Sequence, residues 1–174
     1  MALPPCVPDA NVWIDLADGG LLAEAFQVGV EWLTLDLTAG ELVSCGADLM
    51  ALGLRTATLP GPQVAEMFTL RGRYPKPSLT DIGALVLAKY VGGILVTGDG
   101  DLRKAAEAEG VPLHGTLWIL DELVRLDAVA PGRAADALDR MLRQGSRFPK
   151  AECDRRLRDW REEQARCDAA GRSG

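Results

Sequence analysis

Four acidic residues, Asp9, Glu41, Asp81 and Asp99, each stand at the end of an apolar strand-like run or in the first turn of a helix-like one. In the strings PDANVWIDL, AGELV, SLTDIGALVLA and ILVTGDGDL the acid adjoins residues that must be buried, so each carboxylate is expected to be held rather than freely solvated. Gathered together without a neighbouring base, four carboxylates repel unless something cationic sits among them, and that pattern is how a chain collects a divalent metal. Each acid also has a plainer explanation. Asp9 suits the cap of a helix beginning near Asn11, Asp81 the acidic partner of a capping box opened by Ser78, and Asp99 a turn or the cap of a helix beginning near Asp101. Glu41 reads equally as a solvated helix residue. Capping accounts for the acids separately but predicts no relation among the four segments.

Other chemistries have less to work with. His114 is the one histidine, and Cys6, Cys45, Cys153 and Cys167 form no Cys-x-x-Cys pair, so no zinc set of the usual spacing exists and reduced, structural thiols are expected. A serine or cysteine hydrolase would have to use His114 as its base, and no nucleophile motif accompanies it. The run Gly98-Asp99-Gly100-Asp101-Leu102-Arg103 begins like a dinucleotide loop, yet Arg103 stands in place of the third glycine. A phosphatase of the haloacid dehalogenase type needs a second aspartate two residues after the first, where this chain has Asn11.

The elements that must carry the acids follow from period and punctuation. A short strand at Cys6–Val7, crowded by Pro4, Pro5 and Pro8, leads to a helix over 11–26; a second strand over 32–37 leads to a helix carrying Glu41. A weaker strand covers 54–59, a helix 63–71, an extended loop 73–78, and a Ser78-capped helix runs to Gly92-Gly93. Ile94–Thr97 is the clearest buried strand, followed by a helix over 101–109 closed by Gly110 and a last strand over 111–113. Helices then cover 116–126, 134–143 and 149–167, the last with a narrow stripe of Cys153, Leu157 and Trp160 on a charged rod. Strands alternating with helices predict an α/β fold with a parallel sheet covered on both faces, plus C-terminal helices, and ligands collect at the carboxyl ends of such strands.

The 174 residues suit one compact domain or a domain with a helical appendage, and 48% apolar with 25% charged residues is ordinary for a globular chain. The net charge of −6 is unevenly spread. Residues 131–174 hold eleven Lys/Arg and eight Asp/Glu, leaving eight basic and seventeen acidic residues before them. Divalent ions among the acids would cancel much of that field, and the basic C-terminal part can still meet phosphate, so a nucleic-acid partner stays open. The apolar stretch from Ile82 to Val96 is too short to span a bilayer, and no secretory signal is legible, which leads to the expectation of a cytoplasmic protein with no membrane partner.

The strings Asp9-Ala10-Asn11-Val12-Trp13-Ile14-Asp15-Leu16, Thr80-Asp81-Ile82-Gly83-Ala84 and Leu95-Val96-Thr97-Gly98-Asp99-Gly100-Asp101-Leu102 resemble the three acidic motifs of PIN-domain nucleases, and Glu41 lies where that family places its remaining early acid. The resemblance runs from about Val7 to Leu126, and the segment His114-Gly115-Thr116-Leu117 followed by helices is similar to a bacterial, VapC-toxin-like subgroup. It implies a PIN-like nuclease domain over 1–128 and a C-terminal helical extension over 129–174 that packs on the domain or a partner. It also implies that Asp9, Glu41, Asp81 and Asp99 ligate Mg²⁺ or Mn²⁺, with Asp101 as an auxiliary acid and Asn11 and Thr97 orienting the carboxylates or a bound water. Asp15 takes a structural role.

Hard oxygen ligands fit these ions, which lower the pKa of a bound water and stabilise the departing oxygen in phosphodiester hydrolysis. The products then carry a 5′-phosphate and a 3′-hydroxyl. Arg71, Arg73, Lys76 and Arg103 are the residues placed to meet an RNA backbone. The implied activity is a metal-dependent endoribonuclease, the toxin of a toxin–antitoxin pair held by a small antitoxin and able to form a homodimer. The alternative is a PIN-like binding or regulatory module with little nuclease activity.

Overall fold

Of the three prolines around the first strand, Pro8 marks where pairing on one side of that strand stops. The structure, a computed structural model, describes residues 4–40, 42 and 48–172. Its strands are β1 (Cys6–Pro8), β2 (Leu33–Leu35), β3 (Arg55–Ala57), β4 (Ile94–Val96) and β5 (Leu113–His114). β1 pairs in parallel with β4 in the register Cys6–Ile94, Val7–Leu95, Pro8–Val96, and β4 pairs in parallel with β5. β2 and β3 form a second parallel pair, joined to the first sheet by one parallel bridge between Cys6 and Trp32. The strands therefore follow in the order β3-β2-β1-β4-β5.

Successive N–H groups of a strand point to opposite neighbours. The Cys6 N–H donates toward β2, to the Glu31 carbonyl at 2.8 Å, while the Asp9 N–H donates toward β4, to the Val96 carbonyl at 3.0 Å. Position 8 thus falls on the β2 side, where proline offers no donor, and the ladder to β2 ends after its single bridge. Proline is tolerated in a central strand here because it stands where the pairing stops.

The helices are α1 (Ala10–Gly19), α2 (Asp36–Ala39), α3 (Leu49–Leu52), α4 (Gly61–Arg73), α5 (Leu79–Val91), α6 (Gly100–Ala108), α7 (Thr116–Arg125), α8 (Pro131–Arg143) and α9 (Lys150–Gly171). The α/β class and parallel sheet expected from the sequence are those observed. Several boundaries differ. The helix expected over 11–26 stops at Gly19, because Gly20 turns left-handed at φ 69°, and a 3₁₀ turn over Glu24–Val28 follows. The strand expected to reach Leu37 ends at Leu35, where Asp36 starts α2 and leaves Leu37 66% exposed. β5 lies slightly later than 111–113. α3, capped by Asp48 through the Ala51 N–H at 3.1 Å, was not foreseen. Glu41, with the helix expected to carry it, lies outside the described residues.

The chain forms two compact units, one of Met1–Ile14 with Gly29–Thr116 and one of Asp15–Val28 with Leu117–Gly174. In the first, α5 is buried at every position from Ile82 to Ala88 and packs on β1, β2 and β4. A helix apolar on all sides must lie inside, and here it brings Leu85 and Val86 against the cluster of Val7, Leu35, Met67 and Leu95. Gly83 permits that approach, since a Cβ there would meet Leu35 Cδ1 at 2.5 Å. Trp13 and Trp32 meet edge-on, ring centroids 5.5 Å apart.

In the second unit α8 buries Ala134, Ala135, Ala137, Leu138 and Met141, and the small residues let α9 pack closely, with Cys153 and Trp160 buried and Leu157 half-buried. Met141 occupies the space beside Gly19, and the Arg140 guanidinium donates to the Gly19 carbonyl at 2.5 Å. Arg133 pairs with Glu24, and Arg156 binds Asp121 through two nitrogens at 2.6 and 2.8 Å. The C-terminal helices are thus packed with residues 15–28. Among the described residues no helix is long and apolar enough to cross a membrane.

Candidate active site

Asp9 immediately follows β1, at the carboxyl edge of the parallel sheet, and is only 2% exposed. Its Oδ1 accepts the Val12 N–H at 3.0 Å, the expected cap of α1. Its Oδ2 accepts the hydroxyl proton of Thr97, which follows β4 and is itself fully buried. Both carboxylate oxygens of Asp9 are thereby fixed by neutral donors, one local and one 88 residues away.

Thr97 has a second partner. Its hydroxyl oxygen accepts the Asp99 N–H at 3.0 Å. Because that amide can only donate, the hydroxyl proton is committed to Asp9, and one threonine orders both acids. Asp99 in turn caps α6, its Oδ1 accepting the Leu102 N–H at 2.7 Å. The Thr97 main chain is tied from the other side: its N–H donates to the His114 carbonyl at 2.9 Å, and its carbonyl accepts from Arg103 Nη1 at 3.0 Å. The unit Asp9–Thr97–Asp99 thus spans the carboxyl ends of two adjacent parallel strands.

The remaining expected residues are placed as follows. Asp81 forms the expected capping box, its Oδ2 accepting the Ser78 N–H at 2.9 Å while Ser78 Oγ accepts the Asp81 N–H at 3.1 Å. Asn11 is exposed in the first turn of α1. Asp101 meets Lys76 at 3.4 Å in an exposed ion pair. Arg71 donates to the Pro75 carbonyl at 2.7 Å, Arg73 pairs with Glu109 at 2.8 Å, and Arg103 reaches the Thr97 and His114 carbonyls. Asp15 accepts from the Ser146 hydroxyl at 2.5 Å, the structural role expected of it.

Every acid with described capping geometry is therefore a cap, and a cap still leaves lone pairs, because an ionised carboxylate accepts at about four sites. The donors are carboxylate and hydroxyl oxygens, the type that suits Mg²⁺ or Mn²⁺. Among the described residues no three of His, Cys, Asp and Glu are grouped so as to hold a metal ion. Burial pushes the Cys6 thiol up to about 12 and keeps it protonated. Cys6, Cys153 and Cys167 are free, and Cys45 lies outside the described residues.

The sequence reading missed Asp36. It follows β2 as Asp9 follows β1, its Oδ2 accepts from Thr58 at 2.9 Å just after β3, and its Oδ1 accepts the Leu37 N–H at 2.8 Å. The signal was present, an acid one residue past a strand, but it was absorbed into an overlong β2. Away from this edge, Glu109 at the end of α6 collects Arg73, Tyr74 and Lys89 at 2.8–3.0 Å. The hydrogen bond from Lys89, followed by those of Tyr74 and Arg73, holds its carboxyl below the usual range against the opposing effect of burial.

Compared with known proteins, the chain matches one family model, described as a PIN domain, over residues 6–162. No curated protein and no solved structure matches it.

Proposed function

Because the chain belongs to the PIN-domain family, a nuclease-type fold, we propose that it is a Mg²⁺- or Mn²⁺-dependent endoribonuclease working at the carboxyl edge of its parallel sheet. The observation that supports this reading most is the Thr97 hydroxyl, which donates to buried Asp9 and accepts from the Asp99 amide. A structural cap needs no such coupling between strands; a site that must hold the Asp9 carboxylate against the segment that carries Asp99 does.

Asp9 and Asp99, with Asp81, Glu41 and the auxiliary Asp101, are the residues that would hold the ion. Bound there, it supplies a water of lowered pKa and charge stabilisation for the leaving oxygen of a phosphodiester. Thr97 keeps the Asp9 side chain and the Asp99 main chain in place, the Leu102 N–H holds the Asp99 carboxylate, and burial of Asp9 excludes the water that would otherwise compete for its oxygens. Asn11, exposed beside this edge in α1, serves to orient a bound water. Arg71, Arg73 and Lys76, on α4 and the loop before α5, meet the RNA backbone electrostatically and read no base. Within this reading the protein is the cytoplasmic toxin of a toxin–antitoxin pair, with a small antitoxin as partner and a homodimer as its assembly.

A second reading, a binding or regulatory module of little activity, draws on the engagement of Asp9, Asp81 and Asp99 in caps. Cleavage of single-stranded RNA by the purified chain with Mg²⁺, Mn²⁺ or EDTA separates the two. The nuclease reading expects metal-dependent cleavage leaving 5′-phosphate ends and lost in Asp9→Asn and Asp99→Asn. A 2′,3′-cyclic phosphate product, or cleavage untouched by either substitution, refutes it. A short reading frame for a DNA-binding protein beside the gene is the expectation of the toxin assignment.

A further inference from the structure

Arg103 lies four residues after the cap of α6, and its guanidinium turns back onto the sheet. Its Nη1 donates to the carbonyl of Thr97 at 3.0 Å and to that of His114 at 3.4 Å, residues at the carboxyl ends of the adjacent strands β4 and β5. The nitrogen passes over Gly115, where an added Cβ would stand 3.6 Å away in ordinary contact. The side chain is half-buried, unlike the neighbouring exposed Lys104.

We infer that Arg103 is a positioning residue of the site, a clamp that fixes the Thr97 peptide through the carboxyl ends of β4 and β5 instead of meeting RNA. The inference rests on the nuclease reading above for its effect on activity, but not for the clamp itself. The Thr97 hydroxyl holds the Asp9 carboxylate and the Asp99 main-chain N–H together, so a small rotation of its peptide displaces the Asp9 carboxylate and the segment that carries Asp99 at once. The Thr97 N–H is already held by the His114 carbonyl, and Arg103 supplies the donor for its other polar group. With both ends of residue 97 pinned, χ1 is the freedom left to it, and the hydroxyl's bonds to the Asp9 carboxylate and the Asp99 N–H consume that. Arginine suits the task because its planar, fixed donors stay charged and reach two acceptors together. A guanidinium spent on two main-chain carbonyls has fewer donors left for phosphate.

Kinetics and amide exchange of Arg103→Ala and Arg103→Lys, beside Glu107→Gln on the exposed face of α6, test this. A clamp predicts that kcat of Arg103→Ala falls on the order of 10- to 100-fold, with KM and the salt dependence of RNA binding kept. It also predicts faster hydrogen exchange at the Thr97 and Asp99 amides, with Glu107→Gln matching the parent in both. Arg103→Lys retains the charge but not the two-carbonyl reach, so it shows the same direction with a smaller loss, and it serves if the alanine variant fails to fold. A raised KM and shallower salt dependence at unchanged kcat overturn the clamp in favour of an RNA contact. If the parent cleaves no RNA with either metal, the nuclease reading fails on its own, and the exchange data alone decide: unchanged rates at Thr97 and Asp99 overturn the clamp.

Discussion

The sheet carries the same device twice. Asp9 after β1 accepts from Thr97 after neighbouring β4, and Asp36 after β2 accepts from Thr58 after neighbouring β3; each acid also accepts a main-chain N–H at the start of the helix that follows it. What separates them is water. Asp9 and Thr97 are buried, whereas Asp36 and Thr58 are both exposed. In the exposed pair solvent replaces either partner at little cost, so the contact contributes little; in the buried pair a lost partner leaves a desolvated charge. The buried pair alone is coupled onward, through the Asp99 amide, to a second acid. An aspartate–threonine clasp across parallel strand ends is therefore a strand terminator by default, and its geometry is firmly held only where burial keeps solvent from replacing either partner.

The sharpest break of this comparison is in activity. Asp9→Asn is expected to lower metal-dependent RNA cleavage by roughly 100-fold or more, since asparagine keeps the cap but not the charge, while Asp36→Asn leaves the rate at the parental value. Equal losses in a side-by-side cleavage assay would show that the two clasps are functionally alike. Next comes stability. Thr97→Val removes the hydroxyl from a buried carboxylate and should cost about 1–3 kcal/mol in denaturant unfolding, whereas Thr58→Val should stay within about 0.5 kcal/mol. Thr97→Ser, which keeps the oxygen, should recover most of that loss.

The acid pairs elsewhere in the first unit extend the contrast to pH. Glu109, 9% exposed at its side chain, gathers Lys89, Tyr74 and Arg73, whereas Glu31 meets Arg55 in the open. Glu109 is held below its ordinary 4.5, so its stabilisation is complete above that value and is lost as pH falls through the lower folded-state value. Lys89 is raised, chiefly by its hydrogen bond to Glu109, and its share is complete below the ordinary 10.5 and lost only above it. Urea titrations should find that Glu109→Gln removes part of the loss of stability seen below about pH 4.5 in the parent. The smallest expected effect is that of Glu31→Gln, within about 0.5 kcal/mol at pH 7, because an exposed pair gains little over water.

Much of the site was legible because its hydrogen bonds are local. Asp9 to the Val12 N–H, Ser78 with Asp81, and Asp99 to the Leu102 N–H all span three residues, the spacing at which a side chain reaches an uncapped helix donor. The strand β4 and the helix α5 were equally plain, since a run of apolar residues broken by glycines admits few other readings. Where the reading slipped, tertiary context had overruled the pattern. The alternation of Leu33, Leu35 and Leu37 continues a strand on paper, but the Asp36–Thr58 bond and the start of α2 end it at Leu35. The apolar period points to a helix running on through Gly19-Gly20, where the left-handed turn stops it.

The amino-acid sequence by itself determined which residues are acids at element ends, which of them cap, and that strands and helices alternate toward a parallel sheet, because those properties depend on neighbours a few residues apart. The tertiary structure decided that Thr97, 88 residues from Asp9, is the group that joins two of those acids. It decided likewise that Arg103 faces strand ends and that one aspartate–threonine pair is dry while the other is wet. Register and burial are properties of the packed core as a whole: Pro8 aligns with Val96 in a sheet on which α5 packs against β1 and β4, and no local spacing encodes how much water that packing excludes.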